Sequence, residues 1–274
     1  MAIITVVVIA GALAFGLLVQ RYLRKRSSEA DDGRADAEGL GVNELAVPLL
    51  TLVTLLLAFV LVATFSSYRD ASDLTVDEAG AVLDEAEAAL ALPDPAGQRI
   101  VGSLQCYARA VAGPGWRSLS RTRHTDPVSI AANTQVGAML IEAQESTGDS
   151  AALSAVLVAD RDRVIARRGR LAEAETSVPT IVTVLLIGLV AITVAAIAAL
   201  ADRRIRPGLR VILVGVSTVM ITATLLVLFD LDRPFGGWIA IEPTDMLEVE
   251  RVIGAELLTG QPPCDESGAP IPQG

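Results

Sequence analysis

The side chains in this chain that could carry out chemistry are few and scattered. The single histidine, His124, lies in the polar stretch Arg121-Thr-Arg-His-Thr-Asp126, where a solvated loop histidine is a simpler interpretation than a general base. The sequence has no Gly-x-Ser-x-Gly elbow, no CxxC pair and no Cys/His cluster. A serine nucleophile on a sharp turn and a structural zinc site therefore lack their usual signatures. We expect no enzymatic activity, no metal and no cofactor.

The more suggestive charged residues flank long apolar runs. One set precedes such a run and the other follows one: Arg167, Arg168 and Arg170, and Asp230, Asp232 and Arg233. Carboxylates at a pore mouth attract cations, and arginines beside a membrane attract anions or lipid headgroups. The alternative is a helix-end anchor, for example an ion pair between Asp232 and Arg233. We favour the anchor.

Composition places these residues in an integral membrane protein. The chain has 274 residues, of which 52% are hydrophobic, and its mean hydropathy is +0.51. The apolar residues cluster in four runs at 2–19, 45–65, 178–200 and 209–229. About 20 apolar residues cross a bilayer as a helix. Arg210, the second residue of the last run, is the one ionisable side chain in the four runs. None lies in the middle of a run, which disfavours a proton-coupled transporter. A basic patch with interleaved aromatics is absent, so nucleic-acid binding has no support.

These runs predict an all-α membrane protein with four transmembrane helices and a helical extramembrane domain between the second and third. Threonine and serine hydroxyls within the spans are expected to bond carbonyls one turn back rather than line a pore. The predicted division is transmembrane helix 1 at 1–20, a basic and polar loop at 21–44, transmembrane helix 2 at 45–67, the helical domain at 68–177, transmembrane helix 3 at 178–201, a basic turn at 202–208, transmembrane helix 4 at 209–229 and an acidic tail at 230–274.

Local signals place helix boundaries inside the domain. Thr75 and Glu78 resemble a capping box that would start its first helix. Asp94-Pro95 and Asp126-Pro127 each combine an N-cap residue with a first-turn proline. Gly113-Pro-Gly115 is expected to end the helix before it, and Asp149 to begin the last domain helix.

Basic residues near the spans predict the orientation. The loop at 21–44 and the turn at 202–210 together carry a net charge of about +2, whereas 68–177 and the tail together carry about −12. The positive-inside rule then places the helical domain and the tail outside a bacterial plasma membrane. Cys106 and Cys264 would share that face, where a disulfide between them is permitted. Two unpaired thiols are the alternative, because cysteine spacing does not show proximity.

Several short pieces, in order, resemble the bestrophin-like domain family of bacterial membrane proteins over about residues 45–245. They are Phe65-Ser-Ser-Tyr-Arg-Asp70, Asp77-Glu78-Ala79, Leu92-Pro-Asp-Pro95, Tyr107, Trp116, Ala166-Arg-Arg-Gly-Arg-Leu171, Pro179 and Leu231-Asp-Arg-Pro-Phe-Gly236. The sequence departs from the pattern before Trp116, where Gly113-Pro-Gly115 stands in place of an expected acidic pair. A pairing of Glu78 with one of the arginines at 167–170 is suggested by the resemblance alone.

The resemblance also carries functional expectations. Bestrophins are pentameric anion channels with an all-α fold, which implies four transmembrane helices per subunit and a pore on an oligomer axis. They hold the large region between spans in the cytosol, opposite to the orientation that the charges favour here. We therefore expect a homo-oligomeric membrane protein in contact with lipid that conducts small ions or derives from a channel. The alternative is a membrane sensor or scaffold whose helical domain binds a ligand or an envelope partner.

Overall fold

The computed structural model describes residues 2–29, 42–175, 178–200 and 207–271 of the chain. Nine α-helices occur in these ranges, and the one β pairing there is an isolated bridge between Cys264 and Pro270. Short π-helical turns follow α3 and α9, at Val111–Gly115 and Ile253–Leu257. The helices are α1 (Ala2–Glu29), α2 (Val42–Ala89), α3 (Ala96–Ala110), α4 (Trp116–Thr122), α5 (Pro127–Thr147), α6 (Ala151–Glu173), α7 (Thr180–Leu200), α8 (Pro207–Leu231) and α9 (Thr244–Val252).

The chain divides into two compact units. We call Met1–Phe65 with Val178–Asp232 the membrane unit, and Ser66–Ser177 with Arg233–Gly274 the helical unit. The predicted all-helical fold is confirmed in the described ranges. The predicted basic loop and basic turn lie partly outside them, at 30–41 and 201–206.

Three helices of the membrane unit are long and apolar enough to cross a membrane. They are α7, α8 and the first part of α2, whose apolar stretch ends before Arg69. The described apolar part of α1 is shorter, at Thr5–Leu18, so the fourth span stays a prediction. The helices pack against one another by their apolar faces. The side chains buried between them form a small core: Ile9, Val53, Leu57, Leu186, Val190, Val194, Leu225 and Leu228. Most of their other apolar side chains are exposed, as expected of helices that face lipid.

Small residues set how closely α1 approaches α7. A Cβ added to Gly16 would lie 2.5 Å from the carbonyl oxygen of Ala195 and 2.8 Å from the Cβ of Ala198. Backbones come this close only where side chains are small.

Seven threonine hydroxyls of the membrane unit bond to carbonyls one turn back along the chain. Each donates to a carbonyl three or four residues earlier, as expected from the sequence: Thr54, Thr64, Thr183, Thr193, Thr218, Thr222 and Thr224.

Helix α2 corrects the predicted start of the helical domain. It runs without interruption from Val42 to Ala89, so no helix begins at Thr75. The Thr75 hydroxyl instead donates to the carbonyl of Ala71 at 2.8 Å. The Glu78 side chain is buried in the core. Burial of the helix face that carries Thr75 and Glu78 stabilises a continuous helix more than a capping box at these residues would stabilise a new helix start.

Other predicted boundaries had mixed outcomes. The Asp126 carboxylate caps α5 as expected, accepting from Val128 N at 2.8 Å and Ser129 N at 3.2 Å. The prediction that Asp94 caps α3 was wrong, because Pro95 is the N-cap residue of α3 and no side-chain capping bond is made there.

The prediction that Gly113-Pro-Gly115 ends a helix was also wrong. A π-helical turn absorbs Pro114, and α4 follows directly at Trp116. The last domain helix, α6, is capped by the Ser150 hydroxyl rather than by Asp149.

The acidic tail folds as part of the helical unit. Met246, Val249 and Ile253, on α9 and the π-helical turn, are buried in its core. That core also contains Ile100 and Leu104 of α3. The tail from Arg233 onward is therefore a structural element of the unit. Most of its acidic residues are exposed, whereas Glu250 is half-buried and pairs with Arg109.

Candidate functional site

Helices α2 and α6 each present two buried charged residues seven positions apart. Glu78 and Glu85 are on α2, and Arg163 and Arg170 are on α6. Seven residues are about two helical turns, so each pair lies on one face of its helix. Glu78 pairs with Arg170 and Glu85 with Arg163, which requires the helices to run antiparallel. We call the four residues the charge ladder.

The first rung of the ladder is fully hydrogen-bonded. Arg170 donates through Nε to Glu78 Oε2 and through Nη2 to Glu78 Oε1, the latter at 3.1 Å. The Tyr107 hydroxyl of α3 also donates to Glu78 Oε1. Both carboxylate oxygens are used and the two charges cancel, which is the arrangement in which a buried ion pair is tolerated.

The second rung is not balanced in the same way. Arg163 donates through Nε to Glu85 Oε2 at 2.7 Å, through Nη1 to Asn133 Oδ1 at 3.0 Å, and through Nη2 to Asp160 Oδ1. Its guanidinium also lies 4.7 Å from the ring centroid of Tyr107. One guanidinium thus serves two carboxylates, and Glu85 Oε1 has no hydrogen-bond partner within the described part of the chain.

Burial shifts the acidities of these groups. Removal from water raises the pKa of Glu85 to about 7, against an opposing effect of Arg163. Burial, with the neighbouring Glu78 carboxylate, raises the pKa of Tyr107. Burial alone would lower the pKa of the Arg170 guanidinium, but Glu78 outweighs it and the pKa is raised. Arg170 therefore stays charged at every physiological pH.

An aromatic cluster adjoins the first rung. The Arg170 guanidinium lies 5.6 Å from the ring centroid of Trp116, and Phe235 packs edge-on against Trp116 at 5.2 Å between centroids. Trp116 Nε1 donates to the carbonyl of Ile241 at 3.0 Å. A Cβ on Gly236 would lie 2.2 Å from the carbonyl oxygen of Ser120, so only glycine allows this segment to lie against α4. Residues from five of the separated markers quoted above, Glu78, Tyr107, Trp116, Arg170 and Phe235, thus meet around one buried site.

The predicted site residues fall into different environments. Glu78 and Arg170 form the first rung, which fits an anchoring role for both. Asp232 Oδ1 accepts from the backbone N of Val178 at 3.0 Å, which ties the end of α8 to the segment before α7. Asp230 and Arg167 are half-buried, and the side chains of Arg168 and Arg233 are exposed. His124 is exposed in the turn after α4.

The structure joins Cys106 of α3 and Cys264 of the tail in a disulfide. Their Cα atoms are 5.8 Å apart although 158 positions separate them in the sequence. Both cysteines belong to the helical unit, and both are buried. The tail lies so close to α3 there that a Cβ on Gly268 would be 2.5 Å from the carbonyl oxygen of Cys106.

Sequence reasoning missed the second rung. Glu85, Arg163 and Asn133 were not predicted as site residues. The available signal was the seven-residue spacing, Glu78 to Glu85 and Arg163 to Arg170, on faces otherwise lined with Ala and Val. Within the described ranges, no group of three or more metal-ligating side chains is close enough to hold an ion.

Comparisons with known proteins agree with the resemblance. The model of the family described as Bestrophin-like domain matches residues 5–246. A bacterial bestrophin homologue from Klebsiella pneumoniae aligns with a TM-score of 0.69 at 15% identity, covering 90% of this chain and 96% of that one. A variant of that homologue gives a TM-score of 0.68 at 16% identity, with 89% and 97% covered. A variant of a crystallised membrane protein gives a TM-score of 0.68 at 16% identity, with 94% of this chain and 99% of that one covered. A search of functionally curated proteins finds no significant match.

Proposed function

We propose that this chain, which belongs to the Bestrophin-like domain family, is the subunit of a homo-oligomeric membrane ion channel or of a bundle derived from one. The observation that carries the proposal is the fold: nearly the whole chain aligns with a bestrophin homologue. The long apolar helices of the membrane unit support it further. The proposed subunit has four spans, the fourth supplied by α1, and no enzymatic activity.

Flux through reconstituted protein tests the proposal. The purified full chain is placed in liposomes, and chloride and potassium fluxes are measured separately against protein-free liposomes. Oligomeric state is measured on the same preparation by chemical crosslinking. We expect flux of one ion class by an oligomer. A folded oligomer that passes neither ion would contradict the channel proposal.

Asp232 gives a way to separate a pore-mouth role from an anchoring role. Asp232→Asn removes the charge but keeps an oxygen that can accept from Val178 N, whereas Asp232→Ala removes both. If Asp232 is an anchor only, Asp232→Asn leaves ion selectivity and stability unchanged and Asp232→Ala lowers stability. A shift in the chloride-to-potassium flux ratio in Asp232→Asn would instead assign Asp232 to the pore mouth.

We further propose that the helical unit lies outside the plasma membrane. The disulfide within that unit supports this placement, because disulfides form and persist in oxidising compartments. The basic residues at 203–210, between the last two apolar runs, support a cytoplasmic turn. The orientation would be the reverse of the one that the resemblance to bestrophins implies.

Cysteine accessibility in intact cells tests the orientation. In a Cys106→Ser/Cys264→Ser background, His124→Cys places a thiol on the helical unit, and Asp202→Cys places one in the basic turn. A membrane-impermeant thiol reagent is expected to label the first without lysis and the second only after lysis. The opposite pattern would overturn the orientation and restore the bestrophin arrangement.

A sensor or scaffold role remains as a second candidate. The observation that favours it is that the helical unit has its own core and its own disulfide, independent of any pore. Stoichiometric co-purification of an envelope protein, lost when the helical unit is altered and unaffected by changes in the membrane unit, would support this candidate.

A further inference from the structure

The second rung of the charge ladder holds more negative than positive charge. Glu85 and Asp160 are both bound to Arg163, and the third acceptor, Asn133, is neutral. With both carboxylates ionised, the group carries a net charge of −1 in the interior of the unit. An uncompensated buried charge is costly, and proteins relieve it by taking up a proton.

The surroundings decide which carboxylate takes the proton. The Glu85 side chain is 0% exposed, whereas that of Asp160 is 23% exposed and retains contact with water. Glu85 Oε1 has no hydrogen-bond partner in the described part of the chain. Negative charge on Glu85 is therefore the less well stabilised of the two carboxylate charges. The first rung offers no comparable place, because both oxygens of Glu78 are bonded and its charge is balanced by Arg170.

We propose that Glu85 is a proton-binding site in the core of the helical unit, and that its protonation controls how firmly α2 is held to α6. The charged groups that act on it are Arg163 and Asp160 of α6. Tyr107 of α3 and Asn133 of α5 contact Arg163, and Glu78 lies two turns earlier on α2 itself. The site does not depend on ion conduction and goes beyond the proposed channel role.

The direction of the effect follows from the acidities. Burial raises the pKa of Glu85 in the folded protein to about 7 from 4.5. The folded state therefore holds a proton that the unfolded state releases between these pH values, so this group makes stability fall as pH rises from 4.5 and its effect levels off above 7. Ionised Glu85 attracts Arg163 more strongly but bears the cost of its own burial. The transition lies within the range of pH that bacterial surroundings span.

The test compares the full-length protein with Glu85→Gln, a neutral side chain of the same shape as the protonated acid. Apparent Tm is measured in detergent at a fixed heating rate from pH 4.5 to pH 8.5. Glu85→Gln is expected to be more stable by roughly 5 °C or more at pH 8, with the difference shrinking towards zero near pH 4.5. Glu78→Gln, a matched change on the first rung, is expected to lower Tm while leaving the pH-dependent difference attributable to Glu85 in place.

A second measurement keeps the proposal open to test if Glu85→Gln fails to fold. The infrared carbonyl band of a protonated carboxylic acid is followed in the wild-type protein and in Asp160→Asn. The wild type is expected to keep this band at pH 6 and lose it by pH 8.5. Asp160→Asn, which removes the competing charge, is expected to lose it at lower pH. Absence of the band at pH 6, or an unchanged pH dependence of Tm in Glu85→Gln, would overturn the proposal.

Discussion

At the residue scale, five of the eight family markers of this chain meet in one buried cluster. Glu78, Tyr107 and Arg170 form a closed hydrogen-bonded group, and Trp116 links Arg170 to Phe235. Each of these side chains reaches the cluster from a different element. Their contacts join those elements to one another, which fits an anchoring role.

Breaking the first rung from one side should be more damaging than removing it. Arg170→Met leaves the Glu78 carboxylate buried without its counter-charge, and such changes cost about 3–5 kcal/mol. The double variant Arg170→Met/Glu78→Gln should recover part of this loss. Thermal unfolding of the single and double variants measures the difference.

The control for the first rung is Arg168→Met, two positions away and exposed, for which a change within about 0.5 kcal/mol is expected. If Arg170→Met were as stable as Arg168→Met, the pair would contribute little to the fold.

Gly236 provides a backbone test at the same scale. Gly236→Ala must displace Ser120 O, which would lie 2.2 Å from the new Cβ, and should destabilise the helical unit by about 1–3 kcal/mol. Gly137→Ala is the matched control, because a Cβ there meets nothing within 4 Å and alanine favours a helix. Circular dichroism melts of both variants measure the difference. Equal melts would show that the segment after α8 can move away from α4.

At the scale of elements, helices extend further than their local signals suggest. Helix α2 continues through the Thr75–Glu78 pattern, and the path from α3 to α4 continues through Pro114 by way of a π-helical turn. In both places buried apolar faces on either side of the signal favour a continuous helix. The local preference of Gly, Pro and capping residues for a helix end is outweighed by such packing.

The contact of α1 with α7 depends on a single glycine. Gly16→Leu cannot be accommodated against Ala195 and Ala198 and should weaken the membrane unit by about 1–3 kcal/mol. Gly11→Leu, on the same helix and with no neighbour within 4 Å, should have little effect. The temperature at which each variant loses its fold in detergent reports the contact. Equal values for the two variants would contradict the packing of α1 on α7.

At the scale of the whole molecule, the disulfide adds a covalent link to a tail whose Met246, Val249 and Ile253 are already buried in the core of the helical unit. It joins α3 to the tail across 158 positions, and the Arg109 guanidinium adds a bond to Glu250 at 2.9 Å. A cross-link of this span restricts the unfolded chain strongly.

Removing the cross-link should therefore lower stability markedly. The free energy of unfolding of the Cys106→Ser/Cys264→Ser variant is expected to be about 2–5 kcal/mol lower than that of the oxidised protein, measured by thermal unfolding. Reductant should lower the Tm of the wild type and leave that of the double variant unchanged. A wild type insensitive to reductant, with both thiols free by mass spectrometry, would show that the bond does not form.

The sequence by itself determined the class of this protein. Apolar runs of membrane length, the absence of charge from their central parts and the helical periodicity between them are local properties, and they predicted an all-helical membrane protein. Asp126 was identified as a cap because its bonds reach only two and three residues along the chain. The order of short markers was enough to indicate the family.

Only the tertiary structure decided how distant residues are combined. The pairing of Glu85 with Arg163 spans 78 positions, and that of Cys106 with Cys264 spans 158. The seven-residue spacing marks the charged helix faces, but it does not show whether a guanidinium there is buried and shared, because burial depends on which helices pack together. For the same reason, the Asp-Arg-Pro-Phe-Gly motif at 232–236 was read as a helix end, and the fold made its Phe235 and Gly236 part of the core around Trp116.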